Sequence, residues 1–554
     1  MRRTLPAALA FLVLANLACR GSTGDRTGGD APLPNPPGSG GKGAAGGESE
    51  PAPSTGVEPL VGPPTRSAGA RRLTREELSR SLKRLLGDDL PVDASLLPNE
   101  NLTPFDNDVV EQSPSMVLVE AVETIARDAA AFVTASPERM QRLLPCTPSG
   151  AGDAACFGRF IDAFGKRVLR APLEAGFAQE MKQLISYGKA SGKFGDAVDA
   201  ALRVFLQHPA FLYRIESGTP AGGGRVQLTG YEVATRLSFL LQGTTPDDAL
   251  LAAADRGALA TSAGVRTEAT RLLATPEGRE QLHRFHALWL GYAPLNILPI
   301  QRKLRAETDA LVDRATALDR DYRELLLSNE TYIDAELANH YGMGQAAAAP
   351  EWVPYGSLPR RGIISQGMFA AAGAKFGDTS PTRRGKFVRE RLLCTHVPLP
   401  PPSVSVDVDL PPVAKSADAC KRERYEQHRA DPTCASCHAL MDPIGFGLEN
   451  LDELGRYRTT ESGRPDCPID GKGELDDKTP FTGARELAGL IAAAPEQLPC
   501  VAQQFLHFAI GRAVDDDDLR RAQWLADEME RNGHSFQSML LAFVTHDDFR
   551  VREE

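Results

Sequence analysis

The sequence predicts a mainly α protein, and three observations carry that expectation. Helix-start signatures recur along the chain, apolar residues return at helical spacing behind them, and strand-like alternation is scarce. Aromatic content is only 6%, while Ala and Leu are abundant, which favours helix further. With 554 residues the chain is too long for one core to serve alone, so several packing units are expected. The net charge of −11 disfavours nucleic acid as a partner, because phosphate recognition needs a basic face.

The N-terminus reads as an export signal over residues 1–19. Arg2 and Arg3 supply the positive start, and Leu5 to Ala18 is an apolar run too short for a membrane anchor. It ends in Asn16-Leu17-Ala18-Cys19, which resembles a lipobox, with Asn16 where Leu is usual. Cys19 is therefore the expected lipidated residue and membrane tether, and plain secretion with a cut near Ala18 is the alternative. Residues 20–70 are rich in Gly, Pro and Ser and read as a disordered linker.

The expected helical segments then follow in order. Segment 71–160 opens with Thr74 and Glu77 as a capping box, Leu73 and Leu78 as a hydrophobic staple, and a stripe of Leu78, Leu82, Leu85 and Leu86 before Gly87. A helix over Ser115 to Val133 follows. Another, over Asp162 to Leu169, falls in segment 161–224. Segment 225–350 repeats the pattern with Thr229 and Glu232, a stop at Gly243, and a helix begun by Thr245-Pro246-Asp247-Asp248 with Pro246 in its first position. Ser262 to Leu273, Arg279 to Leu290 and Glu307 to Leu327 are the next expected helices. In segment 351–460, Val397 to Pro402 is expected to be extended. A helix over Ala417 to Arg429 leads to a Gly-rich zone read as loop. Segment 461–554 returns to helix near Ala484 to Ala492, Val501 to Ile510 and Arg520 to Arg531.

The chemistry-bearing motif is Cys434-Ala-Ser-Cys437-His438. Two thiols at this spacing can add across both vinyl groups of a haem, and the adjacent His sits under the iron. One haem c is thus the expected cofactor, with His438 as axial ligand. A redox dithiol wants a βαβ context, which the sequence does not offer, and a zinc site wants a second ligand pair, for which Cys420 with His428 is a poor candidate. The second axial ligand is open. Met441 lies three residues past His438, on the same side of the haem, and is disfavoured. His428, His507, His534, Met529 and Met539 remain, with His428 preferred for its nearness. Arg383, Arg384, Lys386, Arg389 and Arg391 form a basic cluster, read as a solvated helix face with propionate binding as the alternative. Asp515 to Asp518 reads as the acidic start of a helix, and Asp470 to Glu474 as a turn.

Nine cysteines less Cys19, Cys434 and Cys437 leave six, an even number that suits an oxidising compartment. Cys146 with Cys156 is the best single pair, and the remaining connectivity is not derivable.

The run from Asp431 to Asp452, followed by Gly455-Arg-Tyr-Arg458, resembles the signature of planctomycete-type cytochrome c-like exported proteins built from consecutive domains of unknown function. Arg72 to Glu77, His208 to Arg214 with Leu228 to Glu232, Thr379 to Gly385, and Phe508 to Arg512 are similar to the same family. The resemblance implies export, a helical multi-unit body and one haem-like motif. It also implies a His at position 428 and a pairing of Cys394 with Cys500, and it makes Cys420 and Cys467 local additions. No reaction comes with it. Electron transfer with a redox partner protein, from a periplasmic or cell-surface position, is the expected function. The alternatives are a polysaccharide- or protein-binding scaffold with a structural haem, and a peroxidase-like enzyme.

Overall fold

The Thr74 hydroxyl accepts from the Glu77 amide and the Glu77 carboxylate accepts from the Thr74 amide, so the expected capping box forms and starts the helix Arg75–Leu86. Leu73 and Leu78 are both buried beside it, as a staple requires. The same reciprocal pair at Thr229 and Glu232 starts Gly230–Gln242, which ends on Gly243 in the left-handed region. This computed structural model describes residues 70–553, except 103, 296–297, 345, 376, 399–417, 431 and 476–477, and except the side chains of 111, 427–429 and 433. Cys19, the export signal and the linker before residue 70 lie outside the described residues.

The architecture is mainly α. Met116–Thr134, Ser262–Leu273, Lys421–Ala430, Gly483–Ala493, Gln497–Ile510 and Asp516–Arg531 match expected helices within a few residues. Three expectations are corrected. The helix expected from Asp162 begins at Ala154, because Asp153 caps it through the Cys156 amide. Asp247, not Thr245, caps Asp248–Asp255, so Pro246 stands before the helix rather than in its first position. The span expected from Glu307 to Leu327 divides into Pro299–Thr316 and the short Glu324–Leu327.

Strands occur as small antiparallel pairs and one three-stranded sheet, in which Arg225–Gln227 lies between Thr219–Gly222 and Val551–Glu553. The buried apolar residues form two clusters. One gathers residues 73–211 with Phe239, around Phe157, Phe160, Phe164 and Phe205. The other gathers Phe105 and residues 228–549, so residues from the central, motif-bearing and C-terminal segments share one core. Among the described residues no helix is long and apolar enough to cross a membrane.

Three disulfides staple these elements: Cys146–Cys156, Cys394–Cys500 and Cys420–Cys467. The first is the pair preferred from sequence and the second is the pair implied by resemblance. The third joins the two cysteines read as local additions.

Candidate functional site

Cys434, Cys437 and His438 all lie on the helix Pro432–Phe446, so their spacing puts them on one helical face. The zone from Gly445 was read as loop, but the helix runs through Pro443 and Gly445 to Phe446. Its reason is a neighbour. The short helix Pro381–Phe387 crosses it so closely that a Cβ on Gly385 would sit 1.8 Å from the Met441 carbonyl oxygen, and one on Gly445 equally near that of Pro381. Two glycines at reciprocal positions make this backbone-to-backbone contact possible.

The crossing is locked by a buried polar hub. Arg384, 1% exposed, donates to the carbonyls of Leu448, Leu451 and Asp452 and lies 3.4 Å from Glu449. Lys421 and Arg458 both reach Glu449 and Thr379, and Thr379 Oγ1 donates to Glu449 Oε2 at 2.6 Å. Burial lowers the Arg384 pKa from its ordinary value, against the raising effect of Glu449. Burial pushes the Asp378 carboxyl up, but the hydrogen bond and charge of Lys421 outweigh it and hold it below the ordinary range. The reading of the basic run as a solvated face is thus corrected at Arg384, whose partners lie more than sixty residues away in sequence. Arg391 is likewise engaged with the Trp289 carbonyl.

Among the described residues, the two thiols of the motif are the cysteines left outside the three disulfides, and both are half-buried. Cys437 Sγ donates to the Pro398 carbonyl at 3.2 Å. His438 is 21% exposed, and its Nδ1 lies 3.0 Å from Asp442 Oδ2. Asp442 is fully buried, and its Oδ1 accepts from Thr382 Oγ1 at 2.7 Å. A carboxylate only accepts, so Nδ1 of His438 is the nitrogen that donates to Asp442. Two thiols and an imidazole on one helical face are the kind of donor set that a covalently attached haem takes.

The remaining ligand candidates fall in different places. Met441 continues the same helix and is buried. Met529 and Met539 are fully buried in the larger core. His507 packs edge-on against Phe105 and lies 3.8 Å from Asp108, and burial lowers its pKa. His534 lies 3.6 Å from Asp321. The backbone of His428 is in the helix Lys421–Ala430, and its side chain lies outside the described residues.

Sequence reasoning missed His396. Thr395 bonds the Arg389 carbonyl through both its amide and its hydroxyl, and Val397 is buried, which leaves His396 exposed two residues before Pro398. Residues two apart lie no more than about 7 Å from each other, so His396 stands near the motif. Only the contact between Pro398 and Cys437 reveals this. Asp442 was detectable as the residue four past His438, had the motif been placed inside a helix. A second grouping, Cys420, Glu461 and Cys467, brings ligand-type atoms together, but its two sulfurs are spent in a disulfide.

Five family models match in succession, each described as a protein of unknown function. DUF1587 matches residues 71–135, DUF1595 matches 156–216, DUF1592 matches 228–343, DUF1588 matches 360–461 and DUF1585 matches 477–549. No curated protein and no solved structure matches. The DUF1588 match, which also carries the name PSCyt3, contains the motif helix, its crossing helix and the Glu449 hub. By this succession of domains, the chain belongs to the planctomycete-type cytochrome c-like proteins built from consecutive domains of unknown function.

Proposed function

We propose that this protein is an exported, mono-haem c-type electron-transfer protein tethered to a membrane through Cys19. One observation carries the reading: Cys434, Cys437 and His438 share a helical face, and their sulfurs stand apart from the three disulfides. In it, Cys434 and Cys437 hold the haem by thioether bonds and His438 binds its iron through Nε2. The haem supplies one-electron chemistry when bound. The chain's own part is to present the two thiols, to keep Nδ1 of His438 occupied, and to hold the motif helix rigidly through the glycine crossing and the Glu449 hub. Disulfides and covalent haem both suit an oxidising compartment, which supports export. A redox protein is the expected partner.

The test is to express the full chain with its export signal in a host that matures c-type cytochromes. A Soret band and haem retained on a denaturing gel are expected, and both are lost in Cys434→Ser/Cys437→Ser. A wild-type protein that is exported and folded yet shows no Soret band overturns the reading.

A further inference from the structure

We propose that Asp442, held in place by Thr382 in a positioning relay, fixes the tautomer of His438 and makes its Nε2 an electron-rich ligand atom that favours the oxidised state of the iron. The inference deepens the haem reading and rests on it. It starts from the unusual cost of Asp442. A carboxyl group with no exposed surface needs strong partners to stay there, and among the described residues Asp442 has the Thr382 hydroxyl on Oδ1 and the His438 ring on Oδ2. Neither is a Lys or Arg: Arg384, Lys421 and the half-buried Arg458 are gathered on Glu449 instead. The Asp442 carboxylate is therefore shared between the imidazole and the Thr382 hydroxyl.

The relay also crosses elements. His438 and Asp442 lie four apart on the motif helix, where one turn brings them together. Thr382 belongs to the crossing helix, one residue after Pro381, whose carbonyl presses on Gly445. The tightest backbone contact at the site therefore sets the position of the hydroxyl that holds the carboxylate. A histidine whose outer nitrogen donates to a carboxylate is a stronger base at its other nitrogen than one donating to a neutral group. A stronger donor stabilises the higher charge on a bound metal, so the Asp442 carboxylate would lower the reduction potential.

The experiment compares the full-length wild type with Asp442→Asn and Thr382→Val by potentiometric titration of the haem band. The two ring nitrogens of His438 are also resolved by nitrogen-15 NMR in histidine-labelled protein. Asn keeps an acceptor of the same shape but removes the charge, so Asp442→Asn is expected to shift the ferrous-to-ferric ratio at fixed potential at least tenfold toward ferrous, which is 59 mV for a one-electron couple. Thr382→Val removes a competitor for the carboxylate's charge, so its shift is expected in the opposite direction. Loosening of the site alone would move both variants the same way, and that outcome overturns the proposal. So does a wild-type spectrum in which Nδ1 is not the protonated nitrogen. Absence of a Soret band in the wild type removes the haem reading, while the NMR measurement still decides whether Asp442 sets the tautomer.

Discussion

Substituting Gly385 or Gly445 with alanine should open the crossing between Pro381–Phe387 and Pro432–Phe446. In either case the new Cβ would stand 1.8 Å from a backbone carbonyl oxygen of the facing helix, where 3.0 Å is the least that real contacts show. The helices must part by about 1.2 Å, since a backbone carbonyl cannot rotate aside as a side chain can. A gap of about 0.5–1 Å already forfeits a quarter to a half of each dispersion contact across an interface. Overpacking of this kind costs roughly 1–3 kcal/mol, and the loss of matched contacts puts these two variants near the top of that range, at about 3 kcal/mol each. Gly489 is the internal control. It also lies within a helix, Gly483–Ala493, but has nothing within 4 Å of its Cβ position. Its replacement by alanine should stabilise by about 0.5–1 kcal/mol through helix propensity alone. Urea unfolding reports the global change, and amide exchange over residues 432–446 reports the local one. If Gly385→Ala and Gly445→Ala protect those amides as well as Gly489→Ala does, the crossing is not the constraint described here.

Three further outcomes are expected. Glu307 is buried with Thr331 and Tyr341 hydroxyls on its carboxylate, and burial pushes its pKa up to about 7. The native state then holds a proton that the unfolded state releases near 4.5, so stability falls as pH rises from about 4.5 to 7, by about 3 kcal/mol in all; Glu307→Gln should flatten this slope in urea midpoints taken from pH 5 to 8, and an unchanged slope refutes the assignment. Breaking Cys394–Cys500, which spans 106 residues, should cost more than breaking Cys146–Cys156, which spans 10, at about 5 against about 3 kcal/mol by loop entropy, and thermal midpoints in the reverse order would contradict it. Alanine at His507 or His534 should leave the reduced absorption spectrum unchanged, because both rings face acids elsewhere, whereas alanine at His396 or His428 should alter it.

Legibility in the sequence followed the range of the interaction responsible. Thr74 with Glu77 and Thr229 with Glu232 are complete within four residues, and their helices start where expected. The helix Phe194–Gln207 went unread although Phe194, Ala197, Val198, Ala201, Leu202 and Phe205 make a buried stripe, because Lys193 gives it no side-chain cap. Gly445 and Gly447 read as loop for a sound local reason, since glycine weakens helices. At Gly445 that preference is overridden by the crossing helix, whose Pro381 carbonyl lies in a part of the chain no local window contains, whereas Gly447 does stand in a turn past the helix end. Arg384 read as one charge among five for the same reason, its acceptors lying beyond residue 447.

The same distinction divides the site itself. Cys434, Cys437 and His438 are a five-residue pattern, legible without any fold, and they identify the donor set. What those donors do depends on Asp442, whose distance from His438 has meaning only on a helix, and on Thr382, sixty residues upstream. A motif followed by loop would leave Nδ1 of His438 to water. The structure gives it a buried carboxylate held from a second helix, and that helix can approach only because positions 385 and 445 lack a Cβ. The two glycines thus belong to the site as much as the histidine does: alanine at either would loosen the Thr382–Asp442 bond while leaving every residue of the recognisable motif in place.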